Sequence, residues 1–89
     1  MNIILDGTKM TSVEAAHKYI KDTFGFPDFY GRNLDALYDM LTEICEHILI
    51  QISNAGSITA NMGDYGENLI AAFEDAAENN ANITLEFCE

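Results

Sequence analysis

Two carboxylates, Asp35 and Asp39, are the residues of this sequence whose type and spacing most suggest chemistry. They are four residues apart in a segment with helical periodicity. Because successive helical residues turn by about 100°, the two side chains point within about 40° of each other. A pair of carboxylates can act as acid and base on a glycosidic bond, or it can bind a cationic group through charge-assisted hydrogen bonds. The spacing leaves both uses open.

The helix that carries these acids is expected to have one apolar face and one acidic face. Asn33 is suited to cap its start, because its side chain can accept a bond from a free amide of the first turn. The acids lie on the face opposite the apolar stripe, Tyr38 flanks them, and Thr42 and Glu46 continue their side. The apolar stripe consists of Leu34, Leu37, Leu41 and Ile44.

A solvated face and a binding face both account for part of the acid pair. Asp35 is in the first turn, where a negative charge is favoured by the positive end of the helix dipole. Asp39 lies a full turn further on and four residues from a like charge, which costs a few tenths of a kcal/mol. Catalysis is the weakest alternative, because an exposed helix face in an 89-residue chain offers no water-excluding cleft and no phosphate-binding loop is present. We therefore expect no enzymatic activity.

Net charge narrows the class of partner. Four Lys and Arg residues stand against fifteen Asp and Glu residues, which gives −11 at pH 7. Such a chain is repelled by nucleic acid phosphates and by anionic membranes, whereas a basic protein is attracted to it. The alternative is that the acids serve only solubility.

Neither a metal site nor a secretory route is expected. Cys45 and His47 form a Cys-x-His pair, but a zinc site needs three or four ligands, and His17 lies in a different predicted helix.

We expect Cys45 and Cys88 to be reduced thiols, and we expect no cofactor. The three apolar residues before Asp6 are too few for a signal peptide or a membrane span, so we expect a cytoplasmic protein.

The pattern of elements predicts an α/β fold. Short apolar runs at 3–5, 47–53 and 82–88 indicate strands, and the middle one is nearly continuous enough for burial on both faces. Thr11 with Glu14 and Asp64 with Glu67 resemble capping boxes that open helices, and a shorter helix is expected within 54–63. Strands that alternate with helices predict a three-stranded parallel sheet packed by about four helices, in one domain over residues 1–89.

The loop at 26–32 is rich in aromatic residues. Of Phe24, Phe26, Phe29 and Tyr30, at least two are expected in the core. Gly31 has two interpretations. It could supply a positive φ, or it could allow another backbone to approach closely next to the helix start.

The segment FPDFYGRNLDALYDML at residues 26–41 resembles the signature of the barstar family, the intracellular inhibitors of barnase-type bacterial ribonucleases. The order of predicted elements is also similar over essentially the whole chain. The resemblance implies that the loop and the second helix insert into the active site of a ribonuclease. It implies that Asp39 takes the place of the substrate phosphate, that Asp35 supports it, and that Gly31 and Asn33 contact the enzyme.

Several peripheral positions differ from the family pattern. Phe29 stands where the family has a tyrosine, and Tyr38 and Ile44 stand where it has tryptophans. Asp75 and Asn79 stand where it has two glutamates. A retained centre and an altered periphery imply an inhibitor adapted to a different ribonuclease.

These observations predict a 1:1 complex with a basic, barnase-like ribonuclease and a monomer when the protein is free. The alternative is an acidic adaptor or DNA mimic that binds another basic protein. The predicted contact residues are Phe29, Gly31, Asn33, Asp35, Tyr38, Asp39, Thr42, Ile44, Asp75 and Asn79.

Overall fold

Three parallel strands form one sheet, in the order β1-β2-β3. The computed structural model describes residues 1–88, so only Glu89 of the predicted domain range lies outside it. The predicted fold class is confirmed. The elements are β1 (Asn2–Asp6), a 3₁₀ turn (Gly7–Lys9), α1 (Val13–Phe24), α2 (Leu34–Thr42), β2 (Ile48–Ser53), α3 (Ala55–Met62), α4 (Asp64–Asn79) and β3 (Ile83–Cys88).

The sheet buries one face much more completely than the other. Ile3 pairs with Ile50 and Leu5 pairs with Ile52, and all four side chains are buried. The intervening residues of β2 are only partly buried, and Ile4 on β1 is 63% exposed. The prediction that β2 is buried on both faces is therefore wrong for one face, which is only partly buried. The helices do not cover that face of the sheet.

Helix starts are where the sequence patterns were least accurate. Ser12, not Thr11, caps α1, and its Oγ accepts a hydrogen bond from the amide of Ala15 at 3.1 Å. The residue before α4 is Gly63, and no side chain caps that helix, so the Asp64–Glu67 box is not formed. Gly25 ends α1 in the left-handed conformation, with φ +73°, that glycine adopts without strain.

Helix α2 is held against α4 and is shorter than predicted. Its start is confirmed, since Asn33 Oδ1 accepts a hydrogen bond from the amide of Ala36 at 2.7 Å. The helix ends at Thr42, so Ile44 and Glu46 are not on its faces as predicted. After Thr42 the chain turns towards β2. Hydrogen bonds from Asn80 and Asn82, which lie between α4 and β3, to carbonyl groups of Leu41 and Ile44 hold that turn.

Candidate functional site

The two acids of α2 lie on its solvent side. Asp35 and Asp39 are both exposed, whereas Leu37 and Leu41 on the opposite side are fully buried. The helical phase inferred from the sequence is therefore correct over 34–42. Neither acid takes part in an ion pair among the residues that the structure describes. Both carboxylates are available to an external cationic group.

The loop before α2 turns one aromatic side chain outwards and keeps the others in. Tyr30 is only 4% exposed, and its ring lies 5.1 Å from that of Phe26, which in turn stacks on Phe24 at 5.1 Å. Phe29, by contrast, is 84% exposed. The amide of Tyr30 donates to the carbonyl of Pro27 at 3.0 Å, which closes the turn. Packing of the inner rings therefore leaves Phe29 projecting beside α2.

A pocket of about 160 Å³ joins this loop to α2. Its walls are largely apolar, and Asp39 is the single charged residue among those that line it. The lining residues are Phe29, Tyr30, Gly31, Ala36, Asp39 and Met40. The structure thus brings three of the predicted contact residues, Phe29, Gly31 and Asp39, to one place.

Gly31 allows the loop to lie close to α2. A Cβ added at this position would lie 3.0 Å from the Cβ of Ala36 and 3.5 Å from Asn33 Nδ2. The positive φ considered for Gly31 belongs instead to the next residue, Arg32, with φ 54°. Neither interpretation describes the free protein, because the atoms nearest to an added Cβ are side-chain atoms of Ala36 and Asn33 rather than the backbone of another segment.

Contacts between α2 and α4 bring a second group of predicted residues together. Asn79 Nδ2 donates to the hydroxyl of Tyr38 at 3.1 Å and to the carbonyl of Asp75 at 2.9 Å. Thr42 turns its hydroxyl back onto its own helix and donates to the carbonyl of Asp39 at 3.1 Å. Tyr38, Asp75 and Asn79 therefore form one edge beside the acidic face of α2.

Ile44 lies apart from the pocket at Asp39. It lines a separate cleft of about 280 Å³ near the start of β2, together with Phe24, Phe26 and His47. Cys45 also lines this cleft, and both cysteines are exposed free thiols. Within residues 1–88 no three His, Cys, Asp or Glu side chains are grouped in a way that could hold a metal ion. No helix of this part of the chain is long and apolar enough to cross a membrane.

Positive and negative charges are unevenly distributed along the chain, which the net charge alone does not show. Residues 1–32 contain four acids and all four Lys and Arg residues, whereas residues 33–89 contain eleven acids and no Lys or Arg. Two of the cations are paired within the first part, as Lys18 lies 2.8 Å from Asp22 and Lys21 lies 3.1 Å from Asp28. A count of cations by position would have located the excess negative charge on the segment that contains α2 and α4.

A buried histidine behind the loop was also missed. His17 is fully buried, its Nδ1 lies 2.7 Å from the hydroxyl of Tyr30, and its Nε2 lies 2.6 Å from that of Tyr65. Burial lowers the pKa of His17, and the charge of Arg32 lowers it further. Burial also raises the pKa of both tyrosines. This cluster links α1, the loop and α4. The phase of His17, three residues before the core residue Ile20, was the sequence signal for its burial.

Comparison with known proteins gives a consistent result over nearly the full chain. A family model described as "Barstar (barnase inhibitor)" matches residues 1–88. The chain is also similar to the protein named "Putative ribonuclease inhibitor YrdF" of Bacillus subtilis (strain 168). The two are 35% identical over 77 residues, which is 85% of each chain. The family match covers the loop, α2 and α4, the elements that form the site.

Proposed function

The chain belongs to the barstar family, and from this membership we propose that it is a protein inhibitor of a barnase-type extracellular ribonuclease. It acts in the cytoplasm as a free monomer that forms a 1:1 complex, without cofactor and without catalytic turnover. The observation that carries the proposal is the position of Asp39, which is exposed, unpaired among residues 1–88, and part of an otherwise apolar pocket.

Asp39 supplies the negative charge that the enzyme normally meets in RNA. A ribonuclease must hold phosphate with basic side chains, and such groups bind a carboxylate through short charge-assisted hydrogen bonds. Asp35 lies one helical turn earlier on the same side and adds a second acceptor. Because no Lys or Arg follows residue 32, the helix has no cation of its own segment to compete for these carboxylates.

The pocket beside Asp39 fits a flat cationic side chain. The ring of Phe29 provides an exposed aromatic wall, and cations are attracted to the face of such a ring. An arginine or histidine of the enzyme would contact Phe29 with its plane and Asp39 with its N–H groups. Gly31 and Asn33 keep the loop close to α2, so the two walls stay at a fixed separation. Insertion of this region closes the active site to RNA.

The edge formed by α2 and α4 is proposed to select the ribonuclease. Tyr38, Asp75 and Asn79 are linked by hydrogen bonds beside the acidic face, and Thr42 continues that face. Ile44 lies further out, at the neighbouring cleft. Residues at the edge of an interface contribute less energy than its desolvated centre, so they are suited to discriminate between related enzymes.

Inhibition of RNA hydrolysis by purified barnase-type ribonucleases, barnase among them, tests this function. We expect the wild-type chain to abolish cleavage at a 1:1 molar ratio by at least one enzyme of the panel. Asp39→Ala should weaken binding by at least about 2 kcal/mol, as removal of a central interface charge usually does. Glu43→Ala is the matched control, because Glu43 is an exposed acid just after the end of α2 and is not among the residues that line the pocket. Equal binding by the two variants would refute the assignment to this face.

The excess of eleven acids in residues 33–89 also favours a second candidate, an acidic adaptor or DNA mimic. Such a protein would bind basic DNA-binding proteins in competition with duplex DNA. Its binding would weaken steeply with salt and would depend on total charge rather than on Asp39. Competition with duplex DNA, together with no inhibition of any ribonuclease in the panel, would favour this candidate.

A further inference from the structure

The C-terminal end of α2 lacks the residues that usually complete a helix. Glu43 follows the helix in an ordinary right-handed conformation (φ −86°, ψ −5°), and the last turn contains no basic residue. A helix end leaves carbonyl groups without intrahelical partners, and a left-handed glycine normally supplies the substitute bonds. In α2 the carbonyl of Leu41 accepts one local hydrogen bond, from the amide of Ile44 at 3.3 Å, and its further donor comes from a distant part of the chain.

Asn80, which follows α4, supplies those bonds. Its Nδ2 lies 3.0 Å from the carbonyl oxygen of Leu41, 3.0 Å from that of Ile44 and 3.5 Å from that of Thr42. The residue is 8% exposed, so water does not replace it readily. Its Oδ1 accepts a hydrogen bond from the amide of Asn82 at 3.0 Å, which orients the side-chain amide.

Two further bonds reinforce this attachment. Asn82 Nδ2 donates to the carbonyl of Ile44 at 3.2 Å, and Asn79, the residue before Asn80, donates to the hydroxyl of Tyr38. Consecutive asparagines therefore contact α2 at its buried end and on its exposed side. Two such contacts restrict both the rotation of the helix and its movement along its axis.

We propose that Asn80 is a positioning residue for Asp39: it holds the C-terminal end of α2 on the α4–β3 junction and thereby fixes where the carboxylate points. Asp39 is two residues before Leu41, whose carbonyl is bonded to Asn80. The effect of this placement on affinity rests on the proposed function. The attachment itself is a property of the free protein and is tested without a partner.

The first experiment measures amide hydrogen exchange in the free protein. Asn80→Ala removes the donor, and Asn80→Asp keeps the shape and the acceptor for Asn82 but places a carboxylate against carbonyl oxygens. Both variants should accelerate exchange in α2 by at least about tenfold, while the sheet exchanges as in wild type. Asn61→Ala is the matched control, since Asn61 Nδ2 also donates to a carbonyl, that of Met10 at 3.2 Å. Unchanged exchange in α2 would overturn the proposal.

The second experiment measures binding to whichever ribonuclease the wild-type chain inhibits. Asn80→Ala should weaken binding at least about tenfold, and Asn61→Ala should not, at a temperature where both are folded. In an Asp39→Ala background, the Asn80 substitution should lose most of its effect, because the carboxylate that it positions is gone. Equal effects in the two backgrounds would show that Asn80 serves only stability.

The role proposed for Asn80 and the proposed function can fail independently. If the wild-type chain inhibits no ribonuclease, the proposed function fails and the exchange experiment alone decides the role of Asn80. If Asn80→Ala does not fold, Asn82→Ala removes only the bond to Ile44 and should produce the same local acceleration at smaller amplitude. No acceleration in that variant would overturn the inference.

Discussion

The Nδ1 atom of His17 lies 2.7 Å from the hydroxyl of Tyr30, and this bond connects the core of the protein to its loop. The other ring nitrogen lies 2.6 Å from the hydroxyl of Tyr65. A neutral imidazole donates at one nitrogen and accepts at the other, so one tyrosine accepts and the other donates. A protonated ring could only donate, and its charge would be buried. Both hydroxyl oxygens could also accept from a protonated ring, so burial, which lowers the pKa of His17, is what favours the neutral histidine.

The first prediction concerns pH. Because the pKa of His17 is lowered in the folded protein, the unfolded chain binds a proton more readily. The contribution to stability is complete above the unfolded pKa of about 6.5 and is lost as pH falls through the lower folded pKa. Urea unfolding between pH 5 and 7.5 should show this loss, above the range where most carboxylates titrate. The positive charge of Arg32 also lowers the pKa of His17. The titratable side chains in contact with His17 are Tyr30 and Tyr65.

His17→Gln separates this effect from the rest of the molecule. The variant should be less stable at pH 7.5, and its stability should depend less on pH between 5 and 7.5. His47→Gln is the control, since His47 is exposed and should leave the profile unchanged. An identical slope in His17→Gln and wild type would contradict the prediction.

Gly31→Ala should weaken ribonuclease binding with little loss of stability. The added methyl would be only 3.0 Å from the Cβ of Ala36, so the loop must move away from α2 and widen the pocket at Asp39. We expect about tenfold weaker binding and a stability change below about 1 kcal/mol, as the loop is exposed. Isothermal titration calorimetry and urea unfolding measure the two quantities.

Gly56→Ala is the control for that substitution. Gly56 lies in α3, and nothing is within 4 Å of a Cβ added there. Alanine should raise stability by about 0.5–1 kcal/mol through its helix propensity and should leave binding unchanged. Weaker binding in this variant would show that the assay responds to general effects.

Phe29→Ala should reduce affinity without destabilising the fold, because the side chain is 84% exposed in the free protein. Truncation of this aromatic wall of the pocket at Asp39 should cost about 1–3 kcal/mol of binding. Phe26→Ala is the contrasting variant, since its ring packs on Phe24 and Tyr30 and its removal should lower stability. Phe29→Tyr restores the hydroxyl that the family pattern has and should tighten binding to barnase. Weaker binding of that variant to barnase would contradict this.

The two acids of α2 should differ in their effects on stability. Asp35→Asn removes a charge that the start of the helix stabilises by about 0.3–1 kcal/mol but also relieves the repulsion from Asp39, so its net cost should be a few tenths of a kcal/mol. Asp39→Asn removes a like charge four residues away and should stabilise the free protein by a few tenths of a kcal/mol. Binding should respond in the opposite order, with the larger loss at Asp39. Equal stability changes in the two variants, measured at low salt, would show that local electrostatics do not govern them.

Sequence reasoning succeeded at several positions where the determinant was local, although it misplaced the caps of α1 and α4. The cap at Asn33 and the phase of Asp35 against Leu37 depend only on neighbours within one turn. It failed where the determinant was distant. The end of α2 is satisfied by Asn80, 39 residues from Leu41, and no periodicity reveals such a partner. Likewise, the spacing of Gly31 could not show that its close neighbour would be Ala36.

The confinement of every Lys and Arg to residues 1–32 has a consequence for the approach of a partner. Residues 1–32 have no net charge from their Asp, Glu, Lys and Arg side chains, and residues 33–89 carry eleven acids, so the protein has an electric dipole as well as a net charge. The field of a basic protein therefore exerts a torque on it and turns the acid-bearing helices forward before the surfaces touch. A larger fraction of encounters then begins in a productive orientation, which raises the association rate constant. Added salt screens the field and removes this effect.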